Sequence, residues 1–185
     1  MIKVGINGFG RIGRLILRAL LENYKGKIQV VGINDLGSIE ANAHLIKFDS
    51  THGTLNQEIK TSSEGFQIGD QNIKVFAERD PAKLPWGKIG ADVVLECTGF
   101  FLDKASAGNH INAGAKKVII SAPAKEVDFT LVQGVNSKDL KKTHNIISNG
   151  SCTTNCLAPV AMVLEKTFGI EYGYMTTIHS YTGDQ

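Results

Sequence analysis

Cysteine is scarce in this chain: three in 185 residues, at Cys97, Cys152 and Cys156. A low and odd count excludes the disulfide framework of a small secreted domain. Neither sign of charge is in excess, with 20 Lys and Arg against 18 Asp and Glu. So even a balance leaves no electrostatic footprint for nucleic acid or an anionic membrane. No apolar run reaches the roughly 18 residues of a membrane span. Ile2–Asn7 is strand-like directly after Met1, so no signal peptide is expected. Ordinary globular usage, 42% hydrophobic and 21% charged, excludes a disordered tail, collagen or a coiled-coil rod. The expectation is a soluble, cytoplasmic protein with no metal site, long enough to bury a core without staples.

What is present is an alternation of apolar runs and helical periods. Ile2–Asn7 and Ile28–Asn34 read as strands around a helix over Arg11–Asn23, a βαβ unit. Leu15, Ile16, Ala19 and Leu20 give that helix an apolar face, with Arg14, Arg18 and Glu22 off it. Ile39–Phe48 is helical in period. Gln57–Lys60, Gly65–Ile68 and Ile73–Ala77 read as a small antiparallel insertion. Asp92–Glu96, Val118–Ser121, Phe129–Gln133 and Asn145–Ser148 read as buried strands, with a helix over Lys104–Ala113. The fold class predicted for residues 1–149 is a Rossmann-type, doubly wound α/β domain with a mostly parallel sheet in the order 3-2-1-4-5-6. A helix over Cys152–Phe168, interrupted by Pro159, and a strand over Ile170–His179 then follow. Alone they cannot cover their apolar faces, so residues 150–185 are expected to be the unfinished start of a second, α+β domain.

Gly8, Gly10 and Gly13 form G-x-G-x-x-G between the first strand and helix. The first allows a tight turn, the second lets backbone approach a pyrophosphate, and the third lets helix pack on strand. The anion would sit on free N–H groups at the helix N-terminus. Asp35 ends the next strand, 22 residues past Gly13, where a carboxylate accepts from ribose hydroxyls and repels a 2′-phosphate. The second chemical feature is Ser151-Cys152-Thr153-Thr154-Asn155-Cys156, opening a helix. A helix N-terminus lowers a thiol pKa, and the Ser151 and Thr153 hydroxyls can bind an oxyanion there. A base is also needed. Spacing does not choose among His44, His52, His110, His144 and His179, although only His179 shares the second segment. Cys97, Cys156 and the other histidines are read as packing or surface residues.

Seven stretches stand out together: Ile6-Asn7-Gly8-Phe9-Gly10-Arg11-Ile12-Gly13-Arg14, Asn34-Asp35-Leu36, Glu78-Arg79-Asp80-Pro81, Glu96-Cys97-Thr98-Gly99, the run from Ala113 to Pro123, Ser148-Asn149-Gly150-Ser151-Cys152-Thr153-Thr154-Asn155-Cys156 and Thr177-Ile178-His179-Ser180-Tyr181-Thr182. In them the chain resembles the phosphorylating glyceraldehyde-3-phosphate dehydrogenase family. The resemblance implies NAD as cofactor, with Arg11 and Ile12 on the pyrophosphate, Asp35 on the ribose and Arg79 beside the adenine. Thr98, Gly99 and Ser121 would line the cleft. It also implies Cys152 as nucleophile, His179 as its base, and Ser151, Thr153 and Thr182 as substrate or phosphate ligands. The implied partners are glyceraldehyde 3-phosphate and inorganic phosphate, in a homotetramer of longer chains. Two alternatives stay open at this point: an erythrose-4-phosphate dehydrogenase, which Asp35 and Arg79-Asp80-Pro81 disfavour, and a non-catalytic NAD-binding fragment.

Overall fold

The computed structural model describes residues 1–180. In chain order its elements are β1 (Ile2–Asn7), α1 (Arg11–Asn23), β2 (Ile28–Asn34), α2 (Ile39–Lys47), β3 (Phe48–Asp49), β4 (Gly53–Thr54), β5 (Ile59–Ser62), β6 (Gly65–Ile68), β7 (Gln71–Phe76), β8 (Val93–Glu96), α3 (Lys104–Ala107), α4 (Asn109–Asn112), β9 (Lys117–Ile120), β10 (Phe129–Thr130), β11 (Ile146–Ser148) and α5 (Cys152–Phe168). Nine strands form one sheet in the order β10-β11-β9-β8-β1-β2-β7-β6-β5. All its pairings are parallel except β5–β6 and β6–β7. The Rossmann-type class predicted from the sequence is therefore observed.

The order 3-2-1-4-5-6 appears as β7-β2-β1-β8-β9-β11, and two details extend it. β7 belongs to the antiparallel meander, as expected, but its other edge pairs parallel with β2 through Gly32↔Lys74 and Ile33↔Val75. Its alternation of buried Ile73 with exposed Asn72 and Lys74 looks like a half-solvated hairpin strand, which concealed that second pairing. At the other side β11 lies inside β10. The three residues of β11 are all buried, as a strand covered on both faces requires. β10 stops at Thr130 because the Asn136 side chain takes the Thr130 carbonyl and the Val132 N–H, the groups a longer ladder would use.

The core lies on both faces of the sheet. Leu17, Leu21, Ala43 and Ile46 of α1 and α2 pack on Val4, Ile6, Val30 and Ile33. On the opposite face Trp86 packs with Val94 and Ala115; a Cβ at Gly5 would lie 2.6 Å from its ring. A third cluster joins Ala107 to Val118, Ile120 and Ile146.

The face predicted for α1 is rotated. Ala19 is exposed and Arg18 is buried. The Arg18 guanidinium donates to the carbonyls of Ile46, Lys47, His52 and Gly53. It thereby satisfies the free C-terminal end of α2, which makes a buried cation tolerable. The single helix predicted over Lys104–Ala113 is two short ones meeting at Gly108. α5 runs through Pro159 as one helix. The strand predicted over Ile170–His179 is absent, because among the described residues no strand offers it a ladder partner.

Candidate functional site

The β1–α1 turn shapes the first cleft. Gly8 adopts φ +89, and a Cβ there would meet the Thr98 N at 2.7 Å. A Cβ on Gly13 would meet the Gly8 carbonyl oxygen at 2.2 Å, so the third glycine permits helix-on-turn contact. Gly10 has nothing within 4 Å of its Cβ position, leaving its side open for a ligand. As N-cap of α1, Gly10 supplies no side-chain acceptor, and no acid lies in the first turn. The first-turn N–H groups of Arg11, Ile12 and Gly13 are thus available to an anion. The Arg11 guanidinium is turned elsewhere, pairing with Asp49 Oδ2 at 2.5 Å. Backbone N–H groups of His52 and Thr51, together with Arg11, hold the Asp49 carboxyl well below the ordinary carboxylate range.

A cavity of about 510 Å³ opens beside this turn, lined by Asn7, Gly8, Gly10, Asp35, Leu36, Glu78, Arg79, Cys97, Thr98, Phe100 and Phe101. Asp35 reaches it from the end of β2. One of its oxygens accepts from Phe9 N at 2.8 Å and the other from Gly37 N at 2.9 Å, which fixes the carboxylate against the glycine turn. Among the sequence-predicted residues, Gly8, Gly10, Asp35, Arg79 and Thr98 line this cavity. Gly99 and Ser121 lie outside its lining. Burial pushes the thiol of Cys97, in that lining, up to about 12.

The sequence reading missed Asn7 and Asn34 as site residues. Both are buried and both end central parallel strands, where ligand crevices of open α/β sheets lie. Polar residues closing two apolar strands were the available signal. Asn34 Nδ2 donates to Asn7 Oδ1 at 2.7 Å and to the Glu78 carbonyl at 2.8 Å. Its Oδ1 accepts from Glu78 N at 2.8 Å. Asn34 thus holds the Glu78–Arg79 wall as a ladder residue would.

The second cluster is built on α5. Ser151 caps the helix, its hydroxyl accepting from Thr153 N at 3.0 Å. Cys152 Sγ lies 3.0 Å from His179 Nε2. His179 Nδ1 contacts the Ser180 carbonyl oxygen at 2.5 Å. A carbonyl only accepts, so Nδ1 carries the hydrogen and the Nε2 lone pair faces the thiol. The Cys152 thiol is lowered from its ordinary value, first by His179 and then by the Thr153 N–H. The His179 imidazole is raised, first by Cys152 and then by the Ser180 carbonyl. Both residues are exposed. A cavity of about 380 Å³ beside them is lined by residues of α5, including Cys156, and by Met175–His179. It shares no residue with the lining of the first cavity. Thr182 lies outside the described residues.

A glycine turn open at a helix N-terminus, with a carboxylate fixed beside it on a parallel sheet, defines a dinucleotide-binding α/β chain. Residues 2–104 match the family model described as glyceraldehyde 3-phosphate dehydrogenase, NAD binding domain. Residues 151–185 match the one described as glyceraldehyde 3-phosphate dehydrogenase, C-terminal domain. The glyceraldehyde-3-phosphate dehydrogenase of Clostridium pasteurianum is 57% identical over 185 residues, covering 100% of this chain and 55% of that protein. Those of Xanthobacter flavus and Pseudomonas aeruginosa are 55% and 54% identical, over the same shares. The chain belongs to the glyceraldehyde-3-phosphate dehydrogenase family, and NAD is its cofactor. It spans about half the length of the curated relatives it matches.

Proposed function

We propose that this chain is the N-terminal part of a phosphorylating glyceraldehyde-3-phosphate dehydrogenase. In this reading residues 1–149 are the NAD-binding domain and residues 150–185 begin the catalytic domain. The observation that carries it is the contact between Cys152 Sγ and His179 Nε2 at 3.0 Å, with Nε2 free to take the proton. His179 draws the proton from Cys152, and the thiolate attacks the substrate aldehyde to give a thiohemiacetal. The oxyanion is held by the Cys152 N–H and the protonated His179 ring. Bound NAD supplies the hydride acceptor, leaving the acyl group as a thioester on Cys152. Inorganic phosphate cleaves the thioester to 1,3-bisphosphoglycerate and restores the thiolate. Ser151, Thr153 and Thr182 are its proposed ligands.

On the cofactor side, Arg11, Ile12 and Gly13 hold the pyrophosphate by backbone N–H groups, Asp35 holds the ribose and Arg79 flanks the adenine. Thr98, which lines the cavity, and Gly99 and Ser121, which lie outside its lining, are the remaining proposed residues of the cofactor cleft. The open side of Gly10 and the uncapped first turn of α1 suit that cargo. A cytoplasmic homotetramer in glycolysis is the setting that goes with this reading; no described helix is long and apolar enough to cross a membrane. Substoichiometric alkylation at neutral pH followed by peptide mapping tests the nucleophile. Label is expected first on Cys152, and label first on Cys97 or Cys156 overturns the assignment.

A further inference from the structure

A buried polar chain behind the cofactor cleft is left unused by the proposed chemistry. Glu96 ends β8 and is 1% exposed. Its Oε2 accepts from Asn7 Nδ2 at 2.6 Å and lies 2.9 Å from His110 Nε2. Its Oε1 accepts from Thr98 N at 2.8 Å and from the Thr98 hydroxyl. His110, fully buried, accepts at Nδ1 from the Trp86 indole Nε1–H at 3.0 Å. An indole only donates, so His110 Nδ1 is bare and Nε2 carries the hydrogen toward Glu96. The carboxylate therefore receives four donors, which fills its lone-pair positions and offsets its desolvation.

Stability alone does not account for such a group, because an apolar replacement of a buried charged cluster is often no less stable. What the carboxylate does hold is two residues of the cleft lining, Asn7 and Thr98. The Thr98 hydroxyl in turn accepts from Phe100 N at 3.1 Å, so the Thr98–Phe101 wall hangs on Glu96. Asn7 passes the connection through Asn34 to the Glu78–Arg79 wall. One connected set thus fixes both walls of the cleft, and its far end is Trp86, the single tryptophan of the chain and absent from the cleft lining.

We propose that Glu96 is a positioning residue for cofactor binding, setting Thr98 and Asn7 at the distance NAD requires, with His110 and Trp86 fixing the carboxylate from behind. The proposal rests on the reading of this cleft as the NAD site. The test is calorimetric NAD titration of the 185-residue chain, with a thermal melt, for the unmodified protein, Thr98→Val, Thr98→Ser and Glu96→Gln. Thr98→Val and Glu96→Gln are expected to weaken NAD binding about tenfold, the scale of one hydrogen bond to a charged group. Thr98→Ser, which keeps the hydroxyl, is expected to bind as the unmodified chain does. If Glu96→Gln fails to fold, the Thr98 pair decides.

A second readout separates positioning from a direct Thr98–NAD contact. In the NAD-free protein, Thr98→Val is expected to shift the NMR resonance of the one indole N–H, which the Glu96–His110 hydrogen bonds connect to Thr98. Folded Thr98→Val that binds NAD normally, or leaves the indole resonance unmoved, overturns the proposal. Equal weakening in Thr98→Ser overturns it too. No NAD binding by the unmodified chain overturns the cofactor reading itself and the proposal with it, an outcome distinct from the others.

Discussion

The Nδ1–H of His179 is committed to the Ser180 carbonyl, and that one bond decides how Cys152 gives up its proton. With the thiol lowered and the imidazole raised, rising pH takes the proton from sulfur earlier than from an ordinary thiol, while a protonated His179 holds its own longer. Alkylation of Cys152 should therefore set in below the ordinary thiol pKa of about 8.5. His179→Ala should move the onset upward toward that value. Rates of iodoacetamide labelling from about pH 5 to 10 check this; an onset unchanged in the variant contradicts it. Cys97, pushed up to about 12 by burial, should stay silent across the neutral range. At the other cleft, the proposed reading assigns discrimination between cofactors to the Asp35 carboxylate, since a 2′-phosphate would face it across a partly dry gap. Asp35→Ser should narrow the preference for NAD over NADP by about tenfold or more, roughly the value of one charged contact. Calorimetry with both dinucleotides measures it, and tighter NADP binding by the unmodified chain would be fatal to the assignment.

Among elements, the buried ends matter most. Arg18 of α1 closes the C-terminus of α2, and Arg18→Met would leave the Ile46 carbonyl without its side-chain donor, while the Lys47 carbonyl keeps the Leu55 N–H. A loss of about 2 kcal/mol in urea unfolding is expected, the cost of leaving one buried acceptor unpaired. Asp128 does the same work at the sheet margin, where it accepts from Asn145 N, Ile146 N and Lys104 Nζ. Lys104 first, then the Ile146 N–H, lowers its carboxyl to about 2. A lowered carboxyl stabilises the fold above the unfolded pKa of about 3.9 and loses that contribution as pH falls toward the folded value. Asp128→Asn should lower the melting temperature at neutral pH, and the two proteins should converge near the folded pKa of about 2. A difference of equal size at both pH values would refute the charge argument.

Both elements mark the limit of what the sequence disclosed. α1, β1, β2 and α5 were legible with their boundaries because apolar period and glycine punctuation speak locally. The burial of Arg18 was not, because its partners lie on α2 and the β3–β4 turn. The glycine turn, Asp35 and Cys152 were legible as chemistry. Asn7, Asn34 and Glu96 were not, since their role exists only once β1, β2 and β8 lie side by side.

At the scale of the whole molecule, the Rossmann-type part is packed on both faces, whereas α5 has no buried residue. Val160, Val163 and Phe168 are 57%, 57% and 80% exposed, and Tyr174 is 98% exposed. A contiguous apolar surface of this kind drives association, so sedimentation of the 185-residue chain should depend on concentration. Among the described residues the Cys152–His179 pair is exposed to water, without the enclosure that supplies much of a rate enhancement. NADH formation from glyceraldehyde 3-phosphate, NAD and phosphate by this chain should fall far below ~10 per second. A rate within about tenfold of that figure would show the pair to be sufficient as it stands.

The margins of the nine-stranded sheet decide what form that association takes. β10 presents only two residues, and β5 carries Lys60 in a row that is mostly solvated. Short or lysine-bearing margins are poor templates for a further strand. Material gathered through α5 should accordingly stay amorphous and reversible on dilution, bind no thioflavin T and lack the ~4.7 Å cross-β spacing. The same sheet that displays the cofactor cleft at its centre is thereby kept from spreading into a fibre at its rim.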